Sequence, residues 1–336
     1  MSRFSDPSDV AALLARLPEP CGPSRAQAAR RQQQLTKPPG SLGLLEEIAL
    51  FFAAWQQAEK PGISAGRALV FAGNHGVTAR GVSAFPASVT AQMVANFAAG
   101  GAAINALAAS AGLSLAVVPL ELDRPTADFT REPAMSEAEC LAALNAGAGA
   151  VGDAELLVLG EMGIGNSTAA AALAAASFGG DGASWVGPGT GVDAHGLARK
   201  AQAVDDALAT HAGELRTPFE ILRRLGGREI VAIAGAAIEA RLRRIPVLLD
   251  GFICTSAIAP LAVTAPEIAD HCLAAHVSAE PGHAELLRLL GLNPILSLEM
   301  RLGEGSGAAV GALVVKAALA AHSGMATFAE AGVSSG

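Results

Sequence analysis

Short apolar segments, most of them followed at once by a glycine-containing motif, constrain the fold of this chain most strongly. The segments lie at residues 68–72, 115–120, 156–159, 184–186 and 247–249. Helical patterns fill the intervals, at about residues 87–99, 101–112, 136–150, 167–178, 194–211, 228–243 and 254–264. Continuous apolar strands that alternate with helices are typical of parallel sheets covered on both faces. We therefore predict an α/β fold with a doubly wound, mostly parallel sheet and helices on both faces.

The positions of the glycine motifs predict a single ligand site. Residues 73–76, 160–168, 187–191 and 250–251 each follow a predicted strand. Ligands of open parallel sheets bind outside the carboxyl ends of the strands. Loops that are far apart in sequence should therefore meet at one edge of the sheet.

Both ends of the chain are predicted to be helical. Residues 8–58 contain amphipathic stretches that are broken at Pro38 and Pro39, because proline cannot continue a helix. Beyond residue 265 the chain is predicted to be helical again, and its last helix to return to the first ones. We predict a small helical domain at 1–60, joined by about 310–336, and a large domain at 61–309 that carries the site.

Composition excludes several classes of function. A net charge of −8 argues against a nucleic-acid-binding surface, which needs a basic stripe. The four cysteines (Cys21, Cys140, Cys254 and Cys272) lack metal-binding spacing, and we interpret them as reduced thiols. We predict that the protein holds no metal and no cofactor. The apolar runs are interrupted by polar residues, and the first ten residues lack the apolar core of a signal peptide. We predict a cytoplasmic protein with no membrane span.

Two glycine motifs are candidate anion sites. Gly163, Gly165, Asn166 and Ser167 open a predicted helix directly after a strand, where backbone N–H groups and hydroxyls bind phosphate well. The alternative is an ordinary helix start. The motif is neither G-x-G-x-x-G nor a P-loop, which argues against dinucleotide and nucleoside triphosphate sites. The second candidate loop is residues 187–191, with glycines at Gly187, Gly189 and Gly191 and a threonine, Thr190, between the last two.

Charged residues near the strand ends have two interpretations each. Glu161 and Asp250 directly follow strands and would bind a ribose hydroxyl or a cation, or serve as structural carboxylates. Lys200 is a phosphate partner if its helix faces the site, and a solvated lysine otherwise. His75 is either a ligand donor or a structural histidine.

Glu304 is the candidate general base. It stands between Gly303 and Gly305, which let the backbone turn sharply and approach a ligand closely, at the start of an apolar run over residues 308–321. A carboxylate held rigidly at the edge of a packed core suits a general base. Capping of the following helix is the alternative, and the local sequence leaves both open.

Five segments taken together resemble the nicotinate-nucleotide–dimethylbenzimidazole phosphoribosyltransferase family of cobalamin nucleotide-loop assembly. They are residues 37–43, 160–168, 246–252, 276–280 and 300–308, and they span nearly the whole chain in the family's order. Asn74 departs from the pattern, which has an aspartate before the His-Gly pair. This departure puts the role of the 73–76 loop in doubt, and not the resemblance.

The resemblance implies transfer of phosphoribose from nicotinate mononucleotide to 5,6-dimethylbenzimidazole, which gives α-ribazole 5′-phosphate and nicotinate. It also implies a homodimer, with Glu304 as the base. Glu161, Lys200 and Asp250 would face the phosphoribosyl group, with the phosphate on residues 163–168 or 187–191. The apolar base pocket would be lined by Phe85, Met93, Met162 and Leu302, although core packing would account equally well for Phe85 and Met93.

Two other functions are compatible with an α/β fold of this kind. A dinucleotide-dependent oxidoreductase would need G-x-G-x-x-G after the first strand, which the chain lacks. A non-catalytic nucleotide sensor would bind nicotinate mononucleotide without turnover.

Overall fold

A six-stranded parallel sheet forms the centre of the molecule. The computed structural model describes residues 2–189 and 191–334. The strands are β1 (Gly66–Ala72), β2 (Ser114–Pro119), β3 (Leu156–Met162), β4 (Val247–Leu249), β5 (Cys272–Val277) and β6 (Pro294–Ser297). Their order in the sheet is β2-β1-β3-β4-β5-β6, and every neighbouring pair is parallel. The predicted fold class is confirmed.

Helices precede, connect and follow the strands. Before β1 lie α1 (Ser8–Leu14), α2 (Gly22–Gln34) and α3 (Leu44–Gln56). Between β1 and β3 lie a 3₁₀ helix (Gly76–Arg80), α4 (Ser88–Ala98), α5 (Ala103–Ser110) and α6 (Glu137–Ala150). Between β3 and β4 lie α7 (Asn166–Phe178), α8 (Gly182–Trp185), α9 (Ala194–His211), α10 (Pro218–Leu225) and α11 (Arg228–Leu242). The remainder are α12 (Phe252–Ser256), α13 (Ala259–Thr264), a 3₁₀ helix (Pro266–His271), α14 (Pro281–Leu289), α15 (Ser306–Gly324) and α16 (Phe328–Ala331).

Alternation along the strands divides the apolar side chains between two cores. Leu157 and Leu159 of β3 pack with residues of α6, α7 and α11 on one face. Leu156 and Val158 pack with residues of α3, α5 and α15 on the other face. The side chains of a strand point to opposite faces in turn, and both faces here are covered by helices, so the strands are apolar throughout.

One predicted strand is a helix, and two strands were not predicted. Residues 184–186 were predicted as a strand, but Asp181 accepts a hydrogen bond from the Ser184 N–H at 3.0 Å and caps the short helix α8 instead. Strands β5 and β6 lie in the region beyond residue 265 that was predicted to be helical. The alanines of β5 carry little strand preference of their own, and β6 has only four residues and begins with a proline. Pairing of β5 with β4, and of β6 with β5, places both strands in the sheet.

The helices at the two ends of the chain pack on each other. Arg31 of α2 donates to the carbonyl oxygens of His322 and Met325, at 3.0 and 2.9 Å. Helix α15 is apolar and long enough to cross a membrane, but it is a core helix that packs against both α3 and β5. The domain boundaries near residues 61 and 309 stay a prediction.

Candidate active site

A cleft opens at the carboxyl edge of the sheet. Its walls come from the loops that follow β1, β3, β4, β5 and β6, together with residues of the 187–191 loop and α9. The open space within it is about 850 Å³, including its solvent-filled mouth. From β1 the chain continues to β2 on one side of the sheet, and from β3 it continues to β4 on the other side. The strand order therefore reverses between β1 and β3, and the cleft lies beside this point. Ligands of such sheets bind at this point.

Glu304 is held at this edge by backbone contacts on both sides. Its N–H donates to the Glu161 carbonyl oxygen at 3.2 Å, and the next N–H, of Gly305, donates to Asp250 Oδ2 at 3.1 Å. A Cβ at Gly160 would lie 2.5 Å from the Glu304 carbonyl carbon, so only glycine lets β3 approach this closely. Glu304 itself has φ +63°, between glycines at φ +84°.

The helix that follows is capped by Asp250. One carboxylate oxygen accepts from Gly305 N–H, and the other accepts from Ala308 N–H at 2.8 Å. Asp250 is buried and lies behind the wall of the cleft, where its negative charge stabilises the N-terminus of α15. The resemblance placed Asp250 facing the phosphoribosyl group, whereas the structure directs both of its oxygens to this helix.

Leu302 and Gly303, directly before Glu304, line the cleft, whereas Glu304 itself is not among the lining residues. It is only 5% exposed, and within the described residues its Oε2 atom has no hydrogen-bond partner. Burial raises the pKa of Glu304, the backbone of Ile104 in the first turn of α5 opposes that shift, and Asp250 adds to it. A buried carboxylate with raised proton affinity and an unoccupied oxygen is suited to accept a proton.

Glu161 forms part of the cleft wall next to Glu304. Its side chain is 6% exposed and accepts a hydrogen bond from Asn166 Nδ2. Burial, with added repulsion from Asp250 and Glu229, raises the pKa of Glu161 to about 8. A pKa near 8 favours the protonated form of this carboxyl at neutral pH.

The raised pKa makes the stability of the protein depend on Glu161. A carboxyl that binds its proton more tightly in the folded state stabilises it fully below pH 4.5, and that contribution is lost as the pH rises through 8. We expect the melting temperature of the wild type to fall between pH 5 and 8.5 relative to that of Glu161→Gln. In large domains, a change of about 1 kcal/mol in the free energy of unfolding shifts the melting temperature by roughly 2–4 °C. Parallel melting curves over this range would contradict the shift.

The opposite side of the cleft is built for an anion. Helix α7 begins at Asn166 after Gly165, and Ser167 lies in its first turn. Lys200 Nζ donates to Ser167 Oγ at 3.0 Å and to the Gly187 carbonyl at 2.6 Å, so α9 does face the site. Burial lowers the pKa of Lys200, and Glu280 opposes that shift. A helix N-terminus, a hydroxyl and a lysine together match a phosphate.

The remaining predicted residues are divided between the cleft and its surroundings. Gly163, Gly165, Met162, Leu302, Gly303 and Gly189 line the cleft. Gly191 is exposed, and Thr190 lies outside the described residues. Among the residues the structure describes, Phe85 and Met93 are not on the cleft wall. Phe85 is 46% exposed, and Met93 packs on the core beside α5.

Three cleft residues, one near the end of β5 and two in the loop that follows it, were missed as site residues. His276, Ser278 and Glu280 line the cleft, and His276 Nε2 lies 3.5 Å from Asp250 Oδ1. The segment was noted only as part of the family resemblance, because β5 was not recognised as a strand. Applying the strand-end rule there would have found them. Over residues 2–189 and 191–334, no group of three His, Cys, Asp or Glu side chains is placed to hold a metal ion.

Comparison with known proteins agrees with this geometry. A family model described as a phosphoribosyltransferase matches residues 17–333. A nicotinate-nucleotide–dimethylbenzimidazole phosphoribosyltransferase from Novosphingobium aromaticivorans is 64% identical over all of both chains. One of the same name from Rhodobacter capsulatus is 55% identical over 99% of each. The crystal structure of CobT from Thermus thermophilus is 45% identical, with a TM-score of 0.88 over 94% of this chain and all of that one. The chain therefore belongs to the nicotinate-nucleotide–dimethylbenzimidazole phosphoribosyltransferase family.

Proposed function

We propose that this protein transfers the 5-phosphoribosyl group of nicotinate mononucleotide to 5,6-dimethylbenzimidazole. The products are α-ribazole 5′-phosphate and nicotinate, and the reaction serves assembly of the lower-ligand nucleotide of cobalamin. One observation carries the proposal: the buried Glu304 carboxylate, with an unpartnered oxygen, directly follows Leu302 and Gly303, which line the same cleft as the anion site formed by Ser167 and Lys200. The names of the similar proteins support the same reaction.

The reaction needs one base and no acid. In nicotinate mononucleotide the leaving group is a pyridinium, so the C1′–N bond breaks with its electron pair moving onto an already cationic ring. A benzimidazole nitrogen forms the new bond to C1′, and the ring becomes positively charged. Its other N–H then loses its proton to Glu304. Attack from the face opposite nicotinate converts a β-nucleotide into an α-nucleotide.

The substrate groups are assigned from the contacts in the cleft. The phosphate rests on the first turn of α7, with Ser167 and Lys200 as its partners. Glu161 contacts a ribose hydroxyl, and Met162 and Leu302 contact the aromatic base. Asp250 positions the Glu304 loop. Contact of Phe85 or Met93 with the base stays a prediction.

We also propose that the protein is a cytoplasmic homodimer. The segment from Ser88 to Ser110, which contains α4 and α5, is apolar and mostly exposed. A second copy of this chain would cover that surface, as the family resemblance implies. Analytical ultracentrifugation tests this, and a monomer at micromolar concentration would contradict it.

The activity is tested with purified protein, nicotinate mononucleotide and dimethylbenzimidazole, with chromatography of nicotinate and the nucleotide product. A panel of purines and phenols in place of dimethylbenzimidazole defines which bases are accepted. Release of nicotinate that depends on the base supports the proposal. Calorimetric binding of nicotinate mononucleotide without any turnover, across all of the bases, would instead indicate a nucleotide sensor.

A further inference from the structure

A buried histidine–glutamate pair lies beneath the anion side of the cleft. His75 follows β1, and Glu229 lies in the first turn of α11. His75 Nε2 is 2.6 Å from Glu229 Oε1, and both side chains are fully buried. Within the described residues, the remaining polar side-chain atoms, Glu229 Oε2 and His75 Nδ1, have no hydrogen-bond partner. Each side chain is therefore the main polar partner of the other.

The pair is packed directly against the backbone of the loop that precedes α7. A Cβ at Gly163 would lie 2.8 Å from Glu229 Oε1, so the carboxylate touches this loop from below. A Cβ at Gly165 would lie 3.2 Å from the His75 Cβ. Gly163 and Gly165 both line the cleft on their other side, whereas neither His75 nor Glu229 does. The pair is thus separated from the cleft by one layer of backbone.

A carboxylate in this place opposes anion binding. The N–H groups before α7 attract a phosphate, and a buried negative charge beneath them weakens that attraction over short range, because the interior screens poorly. Glu229 also acts on the cleft from this position, since it is one of the groups whose charge raises the pKa of Glu161. A positive charge beside Glu229, in addition to Lys200 on the cleft side, would offset this repulsion when the loop receives a dianion.

We propose that His75 and Glu229 are positioning residues for the phosphate of nicotinate mononucleotide. Protonated His75 holds the Glu229 carboxylate under Gly163 and compensates its charge, so that the loop above presents its N–H groups to the phosphate. The pair does not touch the aromatic base. This inference rests on the proposed function for the identity of the ligand.

Substitution of His75 tests the inference. His75→Gln keeps a hydrogen-bond donor for Glu229 but removes the positive charge. We expect the KM and the calorimetric Kd for nicotinate mononucleotide to rise by about tenfold or more, while the KM for dimethylbenzimidazole changes by less than about twofold. Adding Glu229→Gln removes the uncompensated carboxylate, and the double variant should regain most of the lost affinity.

Controls separate this role from a structural one. His322 is also buried, and its Nδ1 lies 2.8 Å from Gln32 Nε2, far along α15 from the cleft. His322→Gln should lower the melting temperature and leave both KM values unchanged. The inference is overturned if the double variant binds nicotinate mononucleotide no better than His75→Gln, or if both KM values move together.

Two further outcomes keep the tests distinct. If His75→Gln does not fold, Glu229→Gln alone decides, because it should bind nicotinate mononucleotide at least as tightly as the wild type, and a tenfold loss would refute charge compensation. If the wild type binds this nucleotide but never releases nicotinate, the proposed function fails. The binding comparison among the variants still tests the pair.

Discussion

Glu304→Gln should slow the release of nicotinate by about 10²–10⁴-fold, the usual range for loss of a general base. The glutamine fills the same space but cannot accept the benzimidazole proton. The KM for nicotinate mononucleotide should change little, because the phosphate site lies on the other side of the cleft. Steady-state kinetics with both substrates measures this separation of kcat from KM.

Glu299→Gln is the matched control for this experiment. Glu299 lies five residues before Glu304 and also has a positive φ, of 54°, but its side chain is exposed, and neither of its chain neighbours lines the cleft. Its substitution should leave turnover unchanged. The rate of the wild type should also fall with decreasing pH while Glu304 is being protonated, from a higher pH than for an exposed glutamate, because burial raises the pKa of Glu304. Full activity of Glu304→Gln would refute its role as the base.

Lys200→Met should raise the KM for nicotinate mononucleotide by about 30-fold or more, which corresponds to about 2 kcal/mol. Lys200 is 1% exposed, so methionine can replace the buried stem while the charge that faces the anion is lost. The KM for dimethylbenzimidazole should stay within about twofold. Inhibition by inorganic phosphate should weaken in parallel, which identifies the phosphate as the group that is lost.

Lys316→Met controls for loss of a partly buried lysine. The Lys316 ammonium donates to the carbonyl oxygens of Ala111 and Gly112, away from the cleft, so its loss removes comparable hydrogen bonds outside the site. We expect lower stability and unchanged KM values. If Lys200→Met binds nicotinate mononucleotide as tightly as the wild type, the phosphate does not rest where we propose.

The fold class and the location of the site could be predicted from the sequence, because both follow from local patterns. Apolar strands with a glycine motif at their ends identified β1, β3 and β4, and residues of the motifs after β3 and β4 line the cleft. The motif at residues 73–76 does not line it, and the chain after β1 reaches the cleft only at Val82 and Ser83. Lys200 was recognised only conditionally. Whether its helix faces the cleft depends on how α9 packs on α7, which no local pattern contains.

The rest depended on contacts between segments that are distant in sequence. Asp250 caps a helix that begins more than 50 residues later, so its role required the tertiary structure. Strand β5 contains Ala274 and Ala275, which favour helix, and it becomes a strand through pairing with β4 and β6. The sequence left His75 as either a ligand donor or a structural histidine. Its partner Glu229 is 154 residues away along the chain, so the pair could be found only from the fold.

The left-handed backbone at Glu304 has a consequence for how this sequence persists through mutation. A side chain in that conformation costs about 1–2 kcal/mol that glycine does not, and glycines already occupy both neighbouring positions. A chain selected only to fold would drift towards a third glycine there. If Glu304 is the base that we propose, the glutamate at that backbone angle gives up folding stability in exchange for chemistry.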